Sequence, residues 1–135
     1  MKAVLLARGL GSRMKEPADA AGLTPIQAAA AAAGAKGMMP VGNPSTALGS
    51  GGQARPFLDF VLSALADAGC HEVCLVVAPD YSAIRDYYAG AGRPERLRIA
   101  YAVQEIANGT ARAVTAAQAF AGRDPILVLN SDNLY

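Results

Sequence analysis

Short apolar runs that alternate with helix-like segments constrain the fold of this chain more than any other feature. The runs read AVLLA, EVCLVV, LRIAYAV and PILVLN, and they cover residues 3–7, 72–77, 97–103 and 125–130. The first, second and fourth runs are continuously apolar, which is typical of strands covered by helices on both faces. Strands that alternate with helices form βαβ units and a mostly parallel sheet. The sequence therefore predicts an α/β fold, a Rossmann-like three-layer sandwich.

Helical periodicity fills the intervals between these runs. One apolar stripe has spacings of three and four residues and consists of Leu58, Val61, Leu62 and Leu65. Gly69 follows this stripe and is suited to end the helix. The same spacing returns, ahead of Gly122, at Ala113, Ala116, Ala117 and Phe120. A shorter helix is predicted over residues 82–88, beginning at Asp80 or Ser82.

Residues 16–54 depart from this alternation. Within them, TPIQAAAAAAG has Thr24 suited to an N-cap, Pro25 to the first helical position and Gln27 to a capping box, which predicts a short helix. Its interpretation as a mobile flap or as a surface spacer is open. The Gly-, Ser- and Pro-rich stretch over residues 41–54 predicts a flexible loop. We expect residues 1–135 to form a single domain, with this Ala- and Gly-rich insert and loop inside residues 16–54.

Composition and charge argue against two classes of binding partner, nucleic acids and membranes. The 135 residues carry a net charge of +1 and are 53% hydrophobic, which fits one domain with a single core. A charge so close to zero argues against binding to nucleic acid, which requires a basic face. No apolar run reaches the roughly 18 residues of a membrane span, and no signal peptide pattern is present. The sequence thus predicts a cytoplasmic protein without a membrane partner.

The two cysteines, Cys70 and Cys74, flank His71 in the segment CHEVC. Cys74 falls inside an apolar run, and a zinc site needs more ligands at suitable spacing. We interpret both thiols as structural and His71 as a surface residue.

The loop after the first apolar run combines Gly9, Gly11, Ser12 and Arg13. Glycine lets backbone N–H groups approach an anion closely, so this loop predicts a phosphate site. A dinucleotide-binding fingerprint needs a third glycine, where this chain has Met14, and the lysine pattern of a P-loop is absent. A dinucleotide-dependent oxidoreductase is therefore disfavoured.

Four motifs occur in an order that resembles the sugar nucleotidyltransferases, which join a nucleoside triphosphate to a sugar 1-phosphate. They are LARGLGSRM with a lysine before PVG, RPFLDFVLSALADAGCHEVCLVV, YAVQEIANGTARAV and PILVLNSDNLY. The resemblance covers most of the chain outside residues 16–35 and 43–54. It implies the nucleotide-diphospho-sugar transferase type of α/β sandwich, here apparently truncated, and transfer of a nucleotidyl group with release of pyrophosphate.

The resemblance also implies roles for individual residues. Arg13 and Lys36 are the implied catalytic cations, and Asp132 is the implied ligand of Mg²⁺. The implied nucleotide-binding residues are Ala7, Gly9, Gly11, Ser12, Arg13, Gln104, Gly109 and Thr110. Ordinary structural roles compete with these assignments: a tight turn for the glycine loop, surface cations for Arg13 and Lys36, a helix start at Gly109, and a cap at Asp132.

The chain departs from the family pattern at several points. Arg8 stands where the family usually has a small residue, and Gly37 replaces the proline that commonly follows the lysine. The chain ends at Tyr135, soon after Asp132. We expect the last strand to lack a neighbour, and an open sheet edge favours a homo-oligomer. A nucleotide-binding or regulatory module completed by a partner or by a further segment is therefore the alternative function, and no base or sugar is singled out.

Overall fold

The structure is a computed structural model that describes residues 1–8, 36–41 and 55–133. Its strands are β1 (Lys2–Leu6), β2 (Pro40–Val41), β3 (Arg55–Pro56), β4 (Glu72–Val77), β5 (Arg98–Val103) and β6 (Ile126–Asn130). Its helices are α1 (Phe57–Asp67), α2 (Ser82–Ala89), α3 (Thr110–Ala116) and α4 (Gln118–Ala121), and a 3₁₀ turn covers Lys36–Met38. The four predicted strands are confirmed to within one residue at each end.

The main sheet is parallel and has the strand order β5-β4-β1-β6. Leu5 at its centre is in register with Leu75 of β4 on one side and with Leu129 of β6 on the other. The chain thus adds β4 and β5 to one side of β1 and then crosses to add β6 to the opposite side. Open α/β sheets bind ligands beyond the carboxyl ends of the strands at such a reversal.

Helices cover both faces of the sheet. On one face, α1 and α2 pack on the larger core, which includes Leu5, Leu75 and Leu58. On the other face, α3 packs on a smaller core around Val4, Cys74 and Val76. Full burial of an apolar side chain of this size contributes about 1.5–3 kcal/mol relative to leaving it exposed. The three-layer α/β sandwich is confirmed.

The prediction that helices cover both faces is confirmed for β1 and β4 and only in part for β6, where Leu127 and Leu129 pack on the larger core and Ile126 packs on the smaller one. The side chains of β6 are only partly buried, and Val128 is 37% exposed. Within the described part of the chain, β6 pairs with β1 alone. An edge strand has fewer neighbours to shield its side chains, which explains why a continuous apolar run does not guarantee burial here.

The helix patterns are confirmed with two corrections. The stripe of α1 is buried, and α1 ends just before Gly69, as predicted. The alanine stripe is not one helix, because α3 stops at Ala116 and α4 begins at Gln118, with Ala117 in a turn between them. The helix α2 begins at Ser82, one of the two predicted starts, but its N-cap residue is Tyr81 and no side chain caps it.

Three hydrogen bonds, made by Phe57 and Asp59, fix the start of α1 close to the candidate site. The backbone N–H of Phe57 donates to the carbonyl of Met39 at 2.9 Å, which ties α1 to the segment after the 3₁₀ turn. The carboxylate of Asp59 accepts hydrogen bonds from the hydroxyls of Tyr87 and Tyr88, both at 2.8 Å. Burial and this carboxylate raise the pKa of Tyr87 to about 12. Asp59 thereby holds α2 against α1.

The remaining sequence predictions have mixed outcomes. The helix predicted in TPIQAAAAAAG and most of the loop predicted over residues 41–54 lie outside the described residues. Cys70 and Cys74 are free and buried, and burial raises the pKa of the Cys74 thiol to about 11, as suits structural thiols. His71 is exposed, as predicted. Among the helices described here, none has the length and apolarity needed to cross a membrane.

Candidate active site

The carboxyl ends of the parallel strands meet at one edge of the sheet. The backbone N–H groups of Ala7 and Gln104 donate to carbonyls at the end of β4, at 2.8 and 2.9 Å. The N–H of Ser131 donates to the last carbonyl of β1 at 3.2 Å. Each bond extends a strand ladder by one residue, so the segments that follow β1, β5 and β6 begin from fixed positions.

A cleft of about 250 Å³ opens between these segments. Its walls come from the end of β1, the segment between β5 and α3, the end of β6 and the 3₁₀ turn. The lining residues are Leu6, Ala7, Arg8, Gly37, Gln104, Ala107, Gly109, Thr110, Ala113, Asn130, Ser131 and Asp132. Five residues predicted from the sequence, Ala7, Gln104, Gly109, Thr110 and Asp132, thus lie in one cleft at the strand-order reversal.

Gln104 organises one wall of this cleft. Its side chain is only 8% exposed, and its Nε2 donates to the carbonyl of Gly109 at 3.2 Å and to Oδ1 of Asn108 at 3.4 Å. These bonds close residues 104–109 into a tight loop in front of α3. The predicted role of Gln104 is contact with the nucleotide base, and its amide also fixes the loop that forms the wall.

Gly109 sets the direction in which the chain enters α3. It is the residue before Thr110 and has φ 106° and ψ 166°, a conformation that side chains strongly disfavour. An added Cβ would meet nothing within 4 Å, so the requirement for glycine comes from the backbone and not from crowding. Gly109 therefore has the structural role of a helix start, and its role in nucleotide binding stays a prediction.

Asp132 follows β6 and reaches the cleft from the wall opposite Gln104. It is exposed, whereas the adjacent Ser131 is only 5% exposed. Asn130, Ser131 and Asp132 line the cleft, and their side chains carry amide, hydroxyl and carboxylate oxygens, the ligand type that Mg²⁺ prefers. Residues 1–8, 36–41 and 55–133 contain no cluster of three or more His, Cys, Asp and Glu side chains suited to a metal. This wall therefore fits a metal ion that is shared with substrate phosphates.

Arg8 also lines the cleft. Its Nη2 donates to the carbonyl of Glu105 at 3.2 Å, which links the segment after β1 to the segment after β5. Its Nε and Nη1 are shielded from solvent and have no hydrogen-bond partner among the described residues. The cleft thus contains a guanidinium whose donors are incompletely satisfied.

For the other predicted site residues, the structure describes the backbone at most. Gly9, Gly11, Ser12 and Arg13 lie outside the described residues. The backbone of Lys36 begins the 3₁₀ turn, and the adjacent Gly37 lines the cleft. A Cβ added to Gly37 would lie 3.5 Å from the Ser131 hydroxyl, so this turn runs close to the end of β6.

Several cleft residues are absent from the predicted site. Asn130 and Ser131 had a detectable signal, since they stand between a predicted strand and Asp132, at the strand end where such folds place ligands. Arg8 also had a signal, as a cation in place of the family's small residue. Ala107 and Gly37 had none, because they contribute only backbone and small side chains to the walls.

Comparison with known proteins agrees with this geometry. A family model described as Nucleotidyl transferase matches residues 42–135, the larger part of the chain, although the match does not include the glycine loop or Lys36. A glucose-1-phosphate thymidylyltransferase of Neisseria meningitidis serogroup A / serotype 4A (strain DSM 15465 / Z2491) is 30% identical over 81 residues. That alignment covers 60% of this chain and 28% of the relative.

Solved structures extend the likeness to nearly the whole chain. A UDP-glucose pyrophosphorylase complexed with UDP-glucose has a TM-score of 0.68 and 20% identity, over 97% of this chain and 45% of its own. A UDP-glucose pyrophosphorylase from Acinetobacter baumanii has a TM-score of 0.69 and 22% identity, over the same shares. The chain spans less than half the length of these relatives. At such identities the structures confirm the fold alone, the nucleotide-diphospho-sugar transferase type.

Proposed function

Because the chain belongs to the nucleotidyl transferase family, we propose that its cleft binds a nucleoside triphosphate together with Mg²⁺ and that the nucleoside monophosphate is transferred to a sugar 1-phosphate. One observation carries the proposal: Ala7, Gln104, Gly109, Thr110 and Asp132 line a single cleft at the carboxyl ends of the strands. The names of the relatives, a thymidylyltransferase and UDP-glucose pyrophosphorylases, support the reaction class.

The reaction needs charge neutralisation more than proton transfer. An oxygen of the sugar phosphate attacks the α-phosphorus of the nucleotide, the bond to the β-phosphate oxygen breaks, and pyrophosphate leaves. The attacking oxygen is already anionic, so no general base is required. What the protein contributes is in-line positioning together with cations and N–H donors directed at the phosphates.

We assign these contributions as follows. The N–H groups of Gly9 and Gly11, with Ser12 and Arg13, bind the β- and γ-phosphates, and Lys36 neutralises charge at the α-phosphate. Gln104, Gly109 and Thr110 contact the base, and Ala7 lines the same space. Asp132 holds Mg²⁺, which when bound supplies a Lewis acid that neutralises phosphate charge.

A second candidate is a nucleotide-binding module that is completed by a partner or a further segment. It is favoured by one observation: Asp132 is the one carboxylate that lines the cleft within the described residues. Release of pyrophosphate from a nucleoside triphosphate and a sugar 1-phosphate by this chain alone would exclude this candidate. Magnesium-dependent binding without turnover would support it.

The test is a calorimetric titration with thymidine, uridine, guanosine and cytidine triphosphates, with and without Mg²⁺. We expect saturable binding that depends on Mg²⁺ and weakens at least about tenfold in Asp132→Asn. Asp124→Asn is the matched control, because Asp124 precedes the same strand that Asp132 follows. Absence of binding in the wild type, or equal effects of the two variants, would contradict the proposed site.

Two further properties stay predictions of the sequence. Cytoplasmic location is one. Self-association through the edge of β6 is the other, and it is supported by the exposure of Val128 on a strand that pairs only with β1 in the described residues. A monodisperse monomer in light scattering at high concentration would contradict it.

A further inference from the structure

Arg8 has an environment that no other described arginine shares. Its side chain lines the cleft, and the hydrogen bond from Nη2 to the carbonyl of Glu105 links segments 97 residues apart. Three other described cations have carboxylate partners: Lys2 pairs with Asp124, Arg85 with Asp86, and Arg96 with Asp67. Within the described residues, the hydrogen-bond partner of Arg8 is a single neutral carbonyl.

The other nitrogens of the Arg8 guanidinium are buried without an acceptor. Nε and Nη1 carry three N–H donors between them and are both shielded from solvent, and no described residue accepts from them. The guanidinium group carries a positive charge. Buried donors of a charged group are unfavourable until an acceptor reaches them, and an anionic oxygen is the strongest acceptor available.

The position of Arg8 restricts which anion is relevant. It lies directly after Ala7 and shares the cleft with Gln104 on one wall and Asp132 on the other. Arginine pairs well with phosphate, since its planar fork of donors matches phosphate oxygens. A phosphate oxyanion that enters the cleft is therefore the acceptor that this arrangement fits.

We propose that the Arg8 guanidinium binds a phosphate oxyanion of the substrate that enters the cleft, an inference that rests on the proposed nucleotide-binding function. In the family that this chain resembles, a small residue stands at this position, so the contact is a feature of this chain. Arg8 then adds a cation to the set formed by Arg13 and Lys36.

The test compares Arg8→Ala and Arg8→Lys with Arg123→Ala. Arg123 is exposed at the opposite end of the sheet, so its removal gives the same change in net charge away from the cleft. Calorimetry at low ionic strength uses three probes: inorganic triphosphate, a nucleoside triphosphate with Mg²⁺, and glucose 1-phosphate. We expect Arg8→Ala to weaken binding of triphosphate-bearing probes at least about tenfold, Arg8→Lys to retain part of it, and Arg123→Ala to leave it unchanged.

The probes separate this inference from the proposed function. Unchanged or tighter nucleotide binding in Arg8→Ala would overturn the inference and leave the function standing. Arg8-dependent binding of inorganic triphosphate without binding of any nucleotide would support the inference and overturn the function. An effect confined to glucose 1-phosphate would support the inference and identify the sugar phosphate as the source of the oxyanion. If Arg8→Ala does not fold, Arg8→Lys and Arg8→Gln decide, and equal binding by both and the wild type would overturn the inference.

Discussion

The two ends of the parallel sheet differ in how deeply their polar groups are buried. At the amino end, the Lys2 ammonium pairs with Asp124 at 2.8 Å, and Nδ1 of His71 donates to the carbonyl of Arg96 at 3.1 Å. At the carboxyl end, Gln104 and Ser131 are the buried polar residues of the described part of the chain, and both line the cleft.

Polar groups at the amino end have structural roles, whereas those at the carboxyl end belong to the candidate site. Polar groups at the amino end reach solvent or each other, so ordinary surface solvation explains them. At the carboxyl end, the chain buries the polar side chains of Gln104 and Ser131, and two nitrogens of Arg8 have no acceptor among the described residues. Such features cost stability and are concentrated at functional sites. The contrast predicts that equivalent substitutions at the two ends have different consequences.

The largest expected effect comes from a pair of glycines with positive φ. Gly109 (φ 106°) lies at the carboxyl end, and Gly122 (φ 62°) follows α4 at the amino end. Alanine at either position strains the backbone, and we expect each variant to lower the free energy of unfolding by about 1–3 kcal/mol. Only Gly109→Ala should also weaken nucleotide binding, because it displaces the entry to α3. Denaturant unfolding measures the loss of stability, and calorimetry measures nucleotide binding. Equal loss of binding in both variants would contradict the difference between the two ends of the sheet.

A somewhat smaller effect is expected at Gln104. Gln104→Ala removes the hydrogen bonds to Gly109 and Asn108, which should cost about 1–2 kcal/mol in the free energy of unfolding and loosen the cleft wall. The amino-end counterpart is His71→Ala, which removes an exposed bond and should change the free energy of unfolding by less than about 0.5 kcal/mol. A stability loss in His71→Ala as large as that in Gln104→Ala would show that the amino end is not ordinary surface.

The smallest effect concerns acid stability at the amino end. The hydrogen bond from Lys2 and its charge lower the pKa of Asp124 in the folded protein. The stability from this pair is therefore present above the unfolded pKa of about 3.9 and is lost as the pH falls through the folded pKa. The melting temperatures of wild type and Asp124→Asn should differ slightly at about pH 6 and converge at about pH 2, and high salt should shrink the difference. A difference that persists at low pH would contradict this account.

Much of the fold is predictable from this sequence because its core strands are continuous apolar runs. Local patterns fail where the outcome depends on neighbours. Val128 belongs to an apolar run but is exposed, since its strand pairs with β1 alone among the described residues. The break at Ala117 has no signal, because the alanine stripe continues across it.

The candidate site is predictable in part for a related reason. Gln104 and Asp132 stand at strand ends that a parallel sheet brings to one edge, so position along the sequence suffices to place them. The unsatisfied donors of Arg8 are not predictable, since they depend on how closely the segments after β1 and β5 approach each other. The hydrogen bond between Tyr87 and Asp59 is not predictable from the sequence either, because the two residues are 28 positions apart.

The most direct test of the account is to map amide chemical shifts of the chain while a nucleoside triphosphate is titrated in the presence of Mg²⁺. The account predicts that the largest changes in amide chemical shift occur at Ala7, Arg8, residues 104–110 and residues 131–133. The amino-end residues Lys2, His71 and Asp124 should stay unchanged. Shifts centred on the amino end, or no shifts at saturating nucleotide, would contradict the assignment of the carboxyl-end cleft as the nucleotide site.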